Sequence, residues 1–471
     1  MKKYIIALFI FLLTYAIYNR NDNFYGTTDS LPINFNTIDI INSGRVDLNN
    51  YRKLLDDGGL IGITTENKQN NSIYSKQPFI NTLLSVPYFY IYTKIHHISN
   101  FNPQHIYEQR EVLQIIGKKF ASLLTAGSVA IIFLVMANYF HSYTYALIGS
   151  FIYAFATFAY GTSSQANGTH ANSALLISLT YLILSKLNKS KNQYLTSILG
   201  ICTALAYTIR PVNIIFLITT IIILIIQKQP KKNILLYFLG IASVLISYNY
   251  IILVNHIPFG VGGEITNSLK NINIITAIKV VFTIIFSPNL GLLIYYPILV
   301  FSFLGIIRFL VKKKFDTTLI FSFFAILGVF GLNSIWWAWW SGYSWGSRLL
   351  TEATIPLVFF LIYFLKNTNQ NVKKYLIVGS LFALSTFNNL VGIYCNDFSW
   401  HAKYLRPGYT FQASWNLTDP IFPYYINRRY FSTKDMSYVN NKIVITNRAY
   451  LFVPRQLAFI KTIEVTNQIT K

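Results

Sequence analysis

The chain has 471 residues, of which 53% are hydrophobic and only 12% charged, a balance that excludes an ordinary soluble protein and makes lipid the solvent for most of its length. Two cysteines exclude a disulfide framework, since Cys202 lies in an apolar run and Cys395 beyond the last one. A formal net charge of +23 would suit nucleic acid, but the lysines sit in short loops between apolar runs, so no nucleic-acid partner is expected and the excess reads as a positive-inside signal.

The first predicted element is an apolar helix over 4–18, behind Lys2 and Lys3. No clean small-residue cleavage site follows it, so it reads as a retained anchor rather than a removed signal peptide. An outer segment over 19–118 is polar and turn-rich, then carries an aromatic stretch over 78–95 that reads as one or two helices lying in the membrane interface. Spans are predicted at 120–139, 143–160, 171–187, 194–209, 212–226 and 233–254. A second outer segment over 255–290 starts with Pro258, Gly260, Gly262 and Gly263 and ends in an interfacial helix over 272–286. Further spans follow at 291–311, 317–337, 350–365 and 374–391, and the tail reads as a small lobe of short strands. The fold class expected is an all-α polytopic membrane protein of about 11 transmembrane helices, with a transmembrane module over 1–391 and an extracytoplasmic lobe over 392–471.

The lysines sort these loops. Lys186, Lys189 and Lys191, then Lys228, Lys231 and Lys232, then Lys312 to Lys314, then Lys366, Lys373 and Lys374 all fall on one side if the amino terminus is cytoplasmic, which leaves the carboxyl terminus outside. The same count brings Asp29, Lys76, His170, Arg210 and Arg348 to the extracytoplasmic face. A cation there can snorkel to the interface, whereas at mid-membrane it would cost roughly 2.5–3.5 kcal/mol.

Three features recur in order and on one side: Thr28-Asp29-Ser30 soon after the first helix, Lys76-Gln77-Pro78 ahead of the interfacial helix, and Arg210-Pro211 between two spans. Together they resemble the GT-C superfamily of membrane glycosyltransferases, which includes protein O-mannosyltransferases and lipid A aminoarabinose transferases. The stretches from Gly161 to His170 and from Trp339 to Arg348 are similar to segments in a bacterial branch of that superfamily. The chain departs from the pattern in having Lys-Gln-Pro where relatives often show Lys-Pro-Pro. Its first loop carries no Glu-x-Asp or Asp-x-Asp pair, and neither a metal nor a cofactor is expected.

The resemblance implies a place in the bacterial inner membrane and, because no nucleotide sugar is available outside the cytoplasm, a polyprenyl-phosphate-linked sugar as donor. The acceptor would be extracytoplasmic: a glycolipid, a polysaccharide or a protein. Displacement at the anomeric carbon needs a carboxylate to take the acceptor's proton and cations to hold the departing phosphate. Asp29 is then the general base and Lys76, Arg210 and Arg348 bind the donor phosphate, the arginines with a bidentate grip that a lysine lacks. His170, Trp340 and Tyr343 are further candidates for the substrate cleft.

Each residue also has a plainer reading. Asp29 fits a turn or helix N-cap, and Asp39, Asp47, Asp56 and Asp57 compete for the role of base. Lys76 fits a loop lysine, and Arg210 fits a cation snorkelling at a helix end. The tryptophans near Arg348 fit an interface anchor, and His170, with no second ligand at metal spacing, fits a hydrogen-bonded helix-end residue. The rival function is a transporter or lipid flippase, which would show broken helices and polar residues at mid-membrane rather than at one face.

Overall fold

The computed structural model describes residues 1–21, 29–57, 63–67, 69–96, 98, 106–188, 190–258, 268, 273–312, 316–396, 398–405, 410–431, 435–439, 442–447 and 461–465. Helix α1 (Lys2–Tyr18) leads to an outer segment that holds α2 (Ser30–Ser43), α3 (Arg52–Asp57), an antiparallel hairpin of β1 (Thr64–Asn67) on β2 (Ser72–Ser75), and α4 (Ile80–Ile95). Gly44, at φ 70°, ends α2 in the left-handed conformation that a glycine adopts without steric cost. The predicted spans then appear as α5 (Ile106–Phe140), α6 (Tyr143–Phe155), α7 (Thr169–Leu187), α8 (Gln193–Ile209), α9 (Ile214–Ile226) and α10 (Lys231–Val254).

The second outer segment ends in α11 (Ile274–Phe286), close to the interfacial helix expected there, with Ile274, Ile275, Ile278 and Phe282 exposed along it. The span expected over 291–311 is interrupted. Pro297, which lacks a backbone donor, opens a short 3-10 turn that separates α12 (Leu292–Tyr295) from α13 (Val300–Lys312). Next come α14 (Thr317–Ser334), α15 (Thr354–Lys366) and α16 (Val372–Cys395). Polar residues set several starts: Ser142, Asn192, Asn273, Asp316 and Asn371 each accept a hydrogen bond from a first-turn N–H of the helix they precede.

The segments predicted to span are largely helical, and among the described residues five stretches are long and apolar enough to cross a membrane: Val112–Phe140, Lys231–Val254, Thr317–Ser334, Arg348–Lys366 and Val372–Cys395. Four shorter apolar helices accompany them. The chain is therefore a mostly helical integral membrane protein.

Small residues let the helices close on one another. A Cβ at Gly200 of α8 would come within 2.2 Å of the Tyr237 carbonyl oxygen on α10, and one at Gly240 within 2.4 Å of the Ser197 carbonyl oxygen on α8, so these backbones touch where they cross. At one end of the bundle Lys3 bonds Asn138, Lys366 bonds the Phe140 carbonyl, Gln229 bonds the Leu187 carbonyl and Asn233 bonds the Lys191 carbonyl. The lysine-bearing connections thus gather there, and Arg210 and His170 lie at the far ends of α8 and α7.

The outer segment has a core of its own, in which Leu31, Phe35 and Ile38 of α2 pack with Tyr51, Phe89 and Ile116. The tail, expected as strands, divides. Its first part forms α17 (Ser399–Tyr404), α18 (Thr410–Ser414) and α19 (Ile421–Phe431), whose Trp400, Ala413, Ile421 and Tyr425 are buried in the main core. The Asn289 side chain fastens it by donating to the carbonyls of Ala413 and Asn416. Among the described residues of the tail, those in strands form an antiparallel sheet of β3 (Asp435–Val439), β4 (Lys442–Asn447) and β5 (Lys461–Val465).

Candidate active site

Five segments distant in sequence deliver charged or titratable side chains to one cavity of roughly 670 Å³. Each is placed by a local break in regular structure. Asp29 stands at the N-cap position of α2, but its side chain accepts no capping hydrogen bond, which leaves the carboxylate for other partners. Lys76 follows β2, where its backbone N–H donates to the Ile63 carbonyl and the next residues, Gln77 and Pro78, turn the chain into α4. His170 lies in the first turn of α7, after the extended Gly168. Arg210 ends α8 because Pro211 cannot continue a helix and drives the residue before it to extended backbone, here φ −145° and ψ 123°.

Arg348 opens a short 3-10 segment, Arg348–Ala353, that runs into α15. The loop ahead of it passes through left-handed backbone at Ser341 (φ 73°), Gly342 (φ 64°) and Gly346 (φ 67°), and the serine holds this costly conformation while its carbonyl accepts Arg348 Nε at 3.0 Å. A Cβ at Gly346 would meet the Tyr295 ring at 2.9 Å, a close approach that only glycine permits.

Directional amide contacts hold these segments together. Asn167 donates to Asn34 Oδ1 of α2 at 2.9 Å, Asn172 of α7 to Asn81 Oδ1 of α4 at 3.0 Å, and Asn213 to Ser173 Oγ of α7 at 2.8 Å. In a lipid-embedded protein such bonds are worth about 0.6 kcal/mol each, enough to fix the register of helices that apolar packing leaves free to slide.

The charged groups form two clusters. In one, Arg348 Nη2 donates to Asp29 Oδ2 at 2.9 Å, with the carboxylate side chain 31% exposed. In the other, Arg210 Nη1 donates to Glu352 Oε2 at 2.5 Å and lies 2.9 Å from His170 Nδ1, while Glu352 Oε1 lies 3.3 Å from that same nitrogen. Nδ1 accepts from Arg210 when it is unprotonated and donates to Glu352 when it carries the proton. Three cations (Lys76, Arg210, Arg348) against two carboxylates (Asp29, Glu352) leave one net positive charge among the described residues around the cavity. A site of this kind can take an anion and set a carboxylate beside it.

The cavity therefore gathers Asp29, Lys76, His170, Arg210 and Arg348. Trp340 and Tyr343 are not among its lining residues: Trp340 packs edge-on against Trp337 and Trp339, and Tyr343 lies near His401. Trp336, Trp337 and Trp345 line it instead. Of the competing carboxylates, Asp39 accepts from Tyr51 Oη at 2.8 Å and from Asn50, and Asp47 accepts from the Asn49 N–H. Burial pushes the Asp39 carboxyl above its usual range, against the opposing pull of those two hydrogen bonds. The side chains of Asp56 and Asp57 lie outside the described residues. Glu352 was missed by sequence reasoning, although a signal was present: between Glu111 and Asp397 the chain has only Glu264, Asp316 and Glu352 as carboxylates, and Glu352 falls inside an apolar run.

Residues 115–252 match the family model described as dolichyl-phosphate-mannose-protein mannosyltransferase, a family of the GT-C superfamily, in agreement with the resemblance read from the sequence. The match runs from within α5 to within α10 and so includes the segments that carry His170 and Arg210. No curated protein matches the chain. The match supports a membrane glycosyltransferase of GT-C type.

Proposed function

We propose that this protein transfers a sugar from a polyprenyl-phosphate-linked donor to an acceptor on the extracytoplasmic face of a bacterial inner membrane, with Asp29 as general base and Lys76, Arg210 and Arg348 on the donor phosphate. The observation that carries the reading is the convergence of these side chains, from four separate segments, on one cavity. A polyprenyl-phosphate sugar is a phosphodiester with a single negative charge, which balances the net positive charge counted there. As the glycosidic bond to phosphate breaks, charge grows on the leaving oxygens, and fixed cations gain most at that moment. The Asp29 carboxylate pairs with Arg348 rather than capping α2, which supports its reading as the group that takes the acceptor's proton.

The acceptor is a glycolipid, a polysaccharide or a protein, and mass spectrometry of cell-surface glycans with and without the gene identifies it by the sugar that disappears. The site itself is tested by donor binding to purified Lys76→Ala, Arg210→Ala and Arg348→Ala proteins in nanodiscs. Each charge-assisted contact is worth about 1.5–3 kcal/mol, so each loss should weaken binding about ten- to a hundred-fold. Wild-type affinity in all three removes the phosphate site. A transporter would instead move a labelled lipid across a bilayer without releasing polyprenyl phosphate.

A further inference from the structure

Glu352 is an unusual residue to find where it is. Its side chain is 1% exposed, in a segment that, Arg348 apart, is made of apolar and hydroxyl residues and continues into a membrane helix. A carboxylate is retained in such a place only with close partners, and Glu352 has two from different helices: Arg210 at the end of α8 and His170 at the start of α7. Arg210 spends a single nitrogen, Nη1, on this cluster; its Nε and Nη2 hold no protein partner among the described residues, and Arg210 lines the cavity. Glu352 also stands four residues from Arg348 on the same short segment, which fastens through Arg348 to Asp29.

We propose that Glu352 is a positioning residue, which clamps one edge of the Arg210 guanidinium beside His170 and so leaves its remaining N–H groups aimed at the donor's phosphate. This inference rests on the glycosyltransferase reading above. The clamp acts by geometry: a guanidinium tied at Nη1 has lost most of the rotation of its flexible stem and meets a tetrahedral phosphate in a prearranged attitude. A mere counter-charge would act in the opposite sense, because deleting a carboxylate next to Arg210 raises the positive potential of the cavity and should tighten anion binding. The two roles therefore predict effects of opposite sign.

The test uses the full-length protein in nanodiscs and measures the affinity of a polyprenyl monophosphate, with the matching polyprenol as the phosphate-free control. Glu352→Ala should weaken phosphate binding about ten-fold, the middle of the range for coupled neighbours in one network, and leave polyprenol binding unchanged. Glu352→Gln should recover most of that loss, since its amide oxygen still accepts from Arg210. In an Arg210→Ala background, Glu352→Ala should have no further effect. If Glu352→Ala does not survive purification, Glu352→Asp replaces it: the charge is kept and the reach shortened by one methylene, so the clamp predicts weaker binding and a counter-charge predicts wild-type binding. Unchanged or tighter phosphate binding in Glu352→Ala, or wild-type binding in Glu352→Asp, overturns the positioning role while the function reading stands. A wild-type protein that binds the phosphate no better than the polyprenol overturns both.

Discussion

Asp29→Asn separates stability from turnover at the candidate base. The side chain caps no helix, and its described bond is the one from Arg348 Nη2 at 2.9 Å, with the carboxylate 31% exposed. An amide keeps the shape and still accepts that bond, so what is lost is the charge of a partly solvated ion pair, worth about 0.5–1 kcal/mol. Loss of a general base costs about 10²–10⁴ in rate, or about 3–5 kcal/mol of barrier at 1.36 kcal/mol per decade. The two magnitudes differ enough to be told apart. The assay is the initial rate of polyprenyl phosphate release from a polyprenyl-phosphate sugar in native membranes, normalised to folded protein, alongside thermal unfolding in detergent. Expected are near wild-type unfolding and polyprenyl-phosphate binding with turnover down at least about a hundred-fold. Turnover within about three-fold of wild type would refute Asp29 as the base.

Reporter fusions should place Lys191, Lys231 and Lys373 in the cytoplasm and the tail after Val391 outside, and a cytoplasmic tail would move the whole cavity to the wrong face for a lipid-linked donor. Gly200→Ala pushes a methyl to within 2.2 Å of the Tyr237 carbonyl and should destabilise the protein by about 1–3 kcal/mol, read as a lower unfolding temperature; an unchanged temperature would show that α8 and α10 can part at no cost. Because burial raises the Asp39 carboxyl, its ionised form is the less favourable one in the folded state, so stability from this group is full below the unfolded pKa and is lost as pH rises through the folded one. Asp39→Asn should therefore unfold at the same temperature as wild type or higher at neutral pH, and a large loss would show that the charge itself holds Tyr51.

Much of this was legible in the sequence because lipid imposes long apolar runs, and the predicted spans are largely helical in the structure, the one over 291–311 being broken at Pro297. The sidedness of the lysines also sorted Asp29, Lys76, His170, Arg210 and Arg348 together before any distance was known. The short elements of the first outer segment were less visible: α2 carries Asn34, Asn36 and Asp39 among its apolar residues, and all three are buried, so the polar pattern read as loop is in fact an internal face. The pairings were not legible at all. Arg348 and Asp29 are 319 residues apart, and which carboxylate meets which arginine depends on how α2, α7 and α8 are set against the segment at Arg348–Ala353. Trp340 and Tyr343 belong to the same aromatic stretch as Trp336, Trp337 and Trp345, but the left-handed turns at Ser341 and Gly342 redirect the loop in a way composition does not announce.

The crossing of α8 and α10 makes α8 a lever with a fixed fulcrum. Gly200 and Gly240 pin the two backbones together, and Arg210 sits ten residues beyond Gly200, about 15 Å along the axis at 1.5 Å per residue. Over that arm a tilt of about 4° carries the guanidinium sideways by about 1 Å, a displacement that can cost about a hundred-fold where reacting groups must be held in register. The demand for glycine at the crossing is thus a demand on aim as much as on packing, set half a membrane away from the cavity that Arg210 lines.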